Sequence, residues 1–294
     1  MALADPEVLR IDVDGAEIGA VRWRGAPGAP AIVAVHGITA NAWCWSGVAR
    51  HLDGEFGLVA IDLRGRGTSS QATGPFGIRR HGDDVAAIIE RLSAAPAVVT
   101  GHSMGTYVAL ATAERHPATV SELVLVDGGP ALPVPEHVDP QQALDQLLGP
   151  AIKRLRTVWP DRVSYRTMWS EHPAFGGSLT PEIERYVLSD LVACEGGFRS
   201  LVSETAVRND GEELLTDPEM RSLLDRHSQP VIIVRADAGL TGSPPPLLAA
   251  EWIDRYPQHD WRTVDGTNHY TVLIGETGAA AVAKALRDAV SSRR

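Results

Sequence analysis

The pentapeptide Gly101-His102-Ser103-Met104-Gly105 constrains this chain more than any other stretch. It reads G-x-S-x-G and sits between an apolar run at residues 97–100 and a helical run at residues 106–115. A strand, a sharp turn and a helix in immediate succession strain the serine backbone, expose Ser103 Oγ at the carboxyl end of the strand, and aim the Met104 N–H at the same spot. The glycines two residues before and two after leave room for the chain to fold back on itself. A Gly-rich turn that merely carries a serine has the same pentapeptide, so the reading depends on what the rest of the chain supplies.

Residues 8–13 and 17–23 alternate around Asp14-Gly15 and predict an antiparallel hairpin at a sheet edge. Residues 31–35, 58–61, 123–126 and 231–234 are continuous apolar runs, the pattern of strands buried on both faces. Residues 261–264 predict a last short strand. Val85, Ile88, Ile89 and Leu92 share one helix face, and Asp83-Asp84 read as caps of a helix that starts at Val85. Residues 247–256 read as a helix after a loop at 241–246, and Val282, Leu286 and Val290 line one face of a final helix. Between about Pro130 and Gln229 no strand is evident; helical pieces around residues 141–148, 150–158, 181–194 and 218–225 take their place. The pattern predicts an α/β fold, a mostly parallel sheet with helices on both faces. Its core is residues 1–129 and 230–294, and residues 130–229 form a helical cap inserted after the strand that ends at Asp127.

Ligands in such sheets bind at the carboxyl ends of the strands. His36-Gly37, Arg64-Gly65, Ser103, Asp127, Asp237 and His269 all fall at predicted strand ends or in the loops that follow them. Composition narrows the partners. With 27 basic and 37 acidic residues the net charge is −10, so no basic footprint suggests nucleic acid. No apolar stretch approaches a membrane-spanning length. Asp5, Glu7, Asp12 and Asp14, with no seven-residue apolar run, argue against a signal peptide. Cys44 and Cys194 lack metal-ligand spacing and read as free thiols in a reducing, cytoplasmic compartment. A homo-oligomer stays open.

Taken together, the His36-Gly37 strand end, the Ser103 pentapeptide, Asp127, the capping insertion and the late His269 resemble the α/β-hydrolase superfamily over nearly the whole chain. Gly266-Thr267-Asn268-His269-Tyr270 also resembles an actinobacterial-type set within it. A serine hydroxyl needs a base within hydrogen-bond reach. The superfamily's chain order of serine, acid, histidine makes His269 that base. The acid must hold the imidazole tautomer. Asp127 matches an arrangement seen in some dehalogenases and lactonases, where the acid follows the earlier strand. Asp237 follows the strand that more commonly carries it. However, Arg235-Ala236-Asp237-Ala238-Gly239-Leu240 departs from the usual pattern of a glycine and then an acid a few residues on, and residues 239–243 hold no carboxylate. Asp127 is therefore the expected acid, and Asp237, otherwise a loop aspartate held by Arg235, the alternative.

The resemblance implies an oxyanion hole of the Met104 and Ile38 backbone N–H groups. His36 is then expected to brace the loop and His102 to point away. Trp43 and Trp45 are equally suited to wall the pocket or to pack the core. Arg64-Gly65-Arg66-Gly67 has no phosphate-loop lysine and reads as a turn. The expected function is a serine hydrolase that cleaves a small-molecule carboxylic ester or lactone through an acyl-enzyme, with no metal or organic cofactor. The same residues also suit a carbon–carbon bond hydrolase or a slow-turnover small-molecule receptor. Serine in place of aspartate at the elbow argues against haloalkane dehalogenase and epoxide hydrolase chemistry.

Overall fold

The computed structural model describes residues 5–131, 139–177, 179–240 and 242–292. Residues 132–138 and Ser178 of the predicted cap, and Thr241 of the predicted loop, lie outside the described residues. Eight strands form one sheet: β1 (Glu7–Val13), β2 (Ala16–Trp23), β3 (Ala31–Val35), β4 (Gly57–Ile61), β5 (Ala97–His102), β6 (Val120–Val126), β9 (Ile232–Ala236) and β10 (Asp260–Val264). Their spatial order is β1-β2-β4-β3-β5-β6-β9-β10. The first two form the expected antiparallel edge hairpin, and β4, β3, β5, β6, β9 and β10 run parallel to one another.

Successive residues of each parallel strand point to opposite faces. Ile32, Ala34, Val98 and Val124 join the core on one face; Val33, Val35, Val99 and Leu125 join the core on the other. One layer is covered by α1 (Ser46–Leu52) and α12 (Glu276–Ser291), the other by α2 (Ile78–Arg91) and α3 (Met104–Arg115). Burial on both faces is why these strands read as unbroken apolar runs. From β3 the chain goes to β4 on one side and then returns to β5 on the other. The carboxyl ends of β3 and β5 therefore flank the reversal of strand order, where a crevice opens.

Residues 139–226 depart from an all-helical reading. They carry α4 (Pro140–Arg156), α5 (Arg162–Ser170), α6 (Pro181–Leu188), α7 (Glu204–Thr216), α8 (Pro218–Arg221) and α9 (Leu223–Arg226). The predicted helix at 181–194 stops at Leu188, and β7 (Leu191–Cys194) pairs antiparallel with β8 (Gly197–Ser200) as a separate hairpin. Gly196 and Gly197 both take positive φ there, 83° and 146°, and a Cβ on Gly197 would sit 2.0 Å from the Trp159 carbonyl oxygen. Two predicted pieces merge in α4, which runs through Pro150. After β9, the predicted helix at 247–256 is only α10 (Glu251–Arg255), and α11 (Thr271–Ile274) precedes α12. Among the described residues no helix is long and apolar enough to cross a membrane.

Asp83 and Asp84 are not caps. α2 begins seven residues before Val85, at Ile78, with Gly77 at its N-cap in a positive-φ conformation. The free N–H groups of its first turn are satisfied across the fold: Gly77 N–H donates to Asp210 Oδ1 (2.7 Å) and Ile78 N–H to Glu213 Oε2 (2.7 Å), both on α7. Asp84 instead meets Arg64 in a buried pair, with Nε to Oδ2 at 2.5 Å and Nη2 to Oδ1 at 2.9 Å. Asp83 pairs with Arg115 at the surface. Removing one partner of a buried pair strands the other charge without solvent, whereas an exposed pair loses little. Asp84→Ala should therefore destabilise the fold by about 3–5 kcal/mol and Asp83→Ala by about 1 kcal/mol or less, read from urea midpoints. Equal shifts would contradict this assignment.

Candidate active site

Ser103 is the turn between β5 and α3, with φ 55° and ψ −121°. Such a conformation is strained for a residue with a Cβ. It is held by close backbone packing. A Cβ on Gly101 would lie 2.0 Å from the Gly105 carbonyl oxygen, and one on Gly105 would lie 2.4 Å from that of Val35. Both positions require glycine because backbone occupies the space. Ser103 N–H donates to Val126 O (2.9 Å), tying the turn to β6. Met104 opens α3, so its N–H lies among the first-turn donors without an intrahelical acceptor.

Asp127 follows β6 directly, is fully buried, and takes φ 48°. Its N–H donates to Val234 O (2.8 Å) and its Oδ1 accepts from Ala236 N–H (3.1 Å), so β9 fixes the carboxylate. Oδ2 receives His269 Nδ1 at 2.7 Å. An ionised carboxylate is acceptor-only, which leaves Nδ1 the donor and Nε2 of a neutral imidazole free to accept. Asp237 does something else: Oδ2 accepts from Gly266 N–H (2.9 Å) and Oδ1 from Thr267 N–H (3.0 Å). It thus shapes the loop that carries His269. The expected partner Arg235 is occupied elsewhere, with Nε to Thr263 Oγ1 at 3.0 Å and Nη1 to Leu248 O at 2.5 Å.

His102 does not point away from this site. Its Nε2 donates to the His269 carbonyl oxygen (2.8 Å), and the two rings lie 4.7 Å apart between centroids. The contact anchors the histidine loop from behind. It was hidden in the sequence because nothing local relates positions 102 and 269. Asn268 adds a second anchor, donating from its side-chain amide to Ala174 O (2.9 Å).

The loop after β3 closes the other side. His36 is fully buried, accepting from Leu63 N–H at Nε2 (3.0 Å) and donating from Nδ1 to Gly37 O (2.7 Å). A Cβ on Gly37 would press to 3.2 Å from the Ser103 Cβ, so the glycine lets the loop pass close to the serine. Trp45 is fully buried core. Trp43 lies under the Arg185 guanidinium, 4.3 Å from its ring centroid. Neither wall of the adjoining cavity includes a tryptophan from this segment.

That cavity, about 260 Å³, is lined by Gly37, Ile38, Ser103, Met104, Asp127 and His269 on the sheet side. Leu144, Leu148, Leu214, Trp169, His172 and Tyr186 cover it from residues 139–226. Cys44 also lines it, and burial pushes its thiol well above the usual range, so it stays protonated. Among the described lining residues the full charges are Asp127 and Arg154, and Arg154 is paired with Asp190. Among the described residues no cluster of His, Cys, Asp or Glu has the arrangement of a metal site.

A family model described as the alpha/beta hydrolase fold matches residues 30–274. The chain therefore belongs to the α/β-hydrolase superfamily. A 2-(acetamidomethylene)succinate hydrolase of Mesorhizobium japonicum is 24% identical over 263 residues, 89% of this chain and 88% of that protein. The crystal structure of an E-2-(acetamidomethylene)succinate hydrolase superposes with a TM-score of 0.79 at 21% identity, covering 97% of this chain and 99% of that one. Lipase LipV of Mycobacterium tuberculosis is 37% identical over 135 residues, 45% of this chain and 51% of that protein. N-formylmaleamate deformylase of Pseudomonas putida is 33% identical over 152 residues, 47% of this chain and 56% of that protein. The chain thus matches about half the length of the last two.

Burial lowers the pKa of both His36 and His102 to about 3, the His269 imidazole adding to the effect at His102. Folded, both imidazoles stay neutral where unfolded histidines take up a proton. The unfolded chain therefore binds more protons between about pH 6.5 and pH 3, and stability falls as pH drops through that window. Each histidine should contribute a slope of about 1.4 kcal/mol per pH unit below its unfolded pKa. Urea titrations between pH 7 and 4.5 should show this slope, and His36→Asn should flatten part of it; a pH-independent midpoint would count against it.

Proposed function

We propose that this chain is a serine hydrolase that cleaves an uncharged carboxylic ester or lactone through an acyl-enzyme. The observation that carries the reading is the buried 2.7 Å contact between His269 Nδ1 and Asp127 Oδ2 in a cavity that Ser103 also lines. In this reading His269 Nε2 takes the proton as Ser103 Oγ bonds to the substrate carbonyl carbon. Asp127 holds the tautomer and stabilises the imidazolium that forms. The developing oxyanion accepts from the Met104 and Ile38 N–H groups. Collapse breaks the ester bond, and the proton on His269 passes to the leaving alcohol. Water then attacks the acyl-enzyme with His269 again as base, releasing the acid and restoring Ser103. Residues 139–226 act as a cap whose leucines wall an apolar acyl site, with the whole segment between β6 and β9 as a domain inserted in the core.

These roles predict a graded series on short-chain 4-nitrophenyl esters. Ser103→Ala should lower kcat by ~10⁶. Asp127→Asn should lower it by ~10⁴, because the amide favours the wrong imidazole tautomer. Asp237→Asn should cost far less, since its carboxylate meets loop amides and not the imidazole. Collapse of the Asp237 variant with an active Asp127 variant would reverse the assignment.

The whole-length likeness to a succinate-derived hydrolase favours a second reading, in which the substrate is a dicarboxylate. The cavity's electrostatics weigh against it. Arg154 already bonds Asp190, Tyr165 and Thr39 O, and a second carboxylate buried without a free cation is costly. The 4-nitrophenyl ester of butyric acid should therefore exceed the hemisuccinate ester in kcat/KM by at least about tenfold; the opposite preference would favour the dicarboxylate.

A further inference from the structure

Three successive carbonyls of the loop after β3 are each gripped. Gly37 O accepts from His36 Nδ1 (2.7 Å) and from Ala40 N–H (3.1 Å). Ile38 O accepts a fork from Arg66, Nε at 3.1 Å and Nη2 at 3.0 Å. Thr39 O accepts from Arg154 Nη2 at 3.2 Å. In a trans peptide the N–H lies opposite the carbonyl of the preceding residue. Pinning these three carbonyls therefore fixes where the Ile38, Thr39 and Ala40 N–H groups point.

Neither arginine is held in place by the loop itself. Arg66 is fully buried and its Nη1 meets Asp210 Oδ2 at 2.6 Å, the aspartate also being fully buried. Asp210 sits on α7 and also accepts from His81 Nε2 (3.0 Å) and Gly77 N–H (2.7 Å). Burial opposes its ionisation, but Arg66 and His81 outweigh it and hold its carboxyl well below the usual range. Arg154, on α4, meets Asp190 Oδ2 at 2.5 Å and Tyr165 OH at 2.8 Å. Asp190 in turn accepts from Ser200 Oγ at 2.9 Å. Both aspartates belong to the segment between β6 and β9, and all four side chains of the two pairs are buried.

We propose that Arg66 and Arg154, each set by an aspartate of the inserted segment, are positioning residues that aim the oxyanion-hole loop. The insertion then does more than wall the pocket: its docking and the assembly of the hole are one event. The Ile38 N–H shares its peptide with the Gly37 carbonyl that His36 and Ala40 hold, and Arg66 acts on it from the next peptide, through the Ile38 carbonyl. The proposal rests on the reading of Ile38 N–H as an oxyanion donor, and Arg66 tests it best because it is not a cavity-lining residue.

The test uses the full chain with Asp210→Asn and with a paired Arg66→Met, Asp210→Leu variant. The pair replaces both buried charges by apolar volume, so that neither charge is left without its partner. Two readouts are taken. The first is kcat and KM on 4-nitrophenyl butyrate and on its thiono analogue, whose C=S accepts hydrogen bonds poorly. The second is amide hydrogen exchange across residues 36–42, referenced to β5. We expect kcat on the oxo ester to fall at least about tenfold with KM within about twofold, and the oxo-to-thiono rate ratio to shrink, because only the oxo ester loses oxyanion bonding. Exchange at 36–42 should quicken while β5 stays protected. Unchanged loop exchange overturns the proposal whatever the turnover. Faster exchange with an unaltered oxo-to-thiono ratio overturns the link to the hole. A wild type that turns over neither ester overturns the esterase reading alone, and loop exchange then decides the clamp.

Discussion

The site depends on backbone packed against backbone at the end of β5. Gly101, Gly105 and the Val35 carbonyl share a space too small for any side chain. That contact keeps Ser103 at a positive φ the chain would otherwise abandon. It also brings β3 and β5 together where the strand order reverses, so the loop after Val35 lies against the serine. Every other element of the site is placed relative to this turn. β6 supplies Asp127 beside it, and β9 orients that carboxylate through Ala236.

Much of this was legible because the parallel strands are sealed on both faces. Such strands leave continuous apolar runs, and the residues just past each run are by construction at one edge of the sheet. Ser103, Asp127, Asp237 and His269 stood out for that reason. What separates Asp127 from Asp237 is a difference of partners across strands: one meets an imidazole, the other two loop amides. The departure of residues 235–240 from the usual pattern favoured Asp127, but nothing local showed that Asp237 meets the amides of Gly266 and Thr267. The start of α2 was hidden for a similar reason. Its cap is not next to it in sequence but comes from Asp210 and Glu213 more than 100 residues later. The β7–β8 hairpin had a readable cue in Gly196-Gly197, masked because the residues before it continue a helix-like run.

Several buried polar groups around the site are arranged in closed sets. His36 both accepts and donates, Asp127 bonds both its oxygens, and Asp190 receives Arg154, Tyr165 and Ser200. In a low-dielectric interior a complete network is rigid, and a partly satisfied one is costly. The cavity is thereby left with largely apolar walls, a carboxylate committed to its imidazole and a guanidinium committed to Asp190. It can select a ligand by shape, with little net charge on offer.

The Arg66–Asp210 pair joins the sheet's loops to α7 across a boundary that topology makes look like a seam. Replacing the segment between β6 and β9 would test that seam. Here an exchanged segment would have to bring its own acid to the position of Asp210, or leave a guanidinium stranded in the interior. The segment and the core can therefore diverge in sequence, but at this point they must do so together, as a matched lock and key inherited as a set.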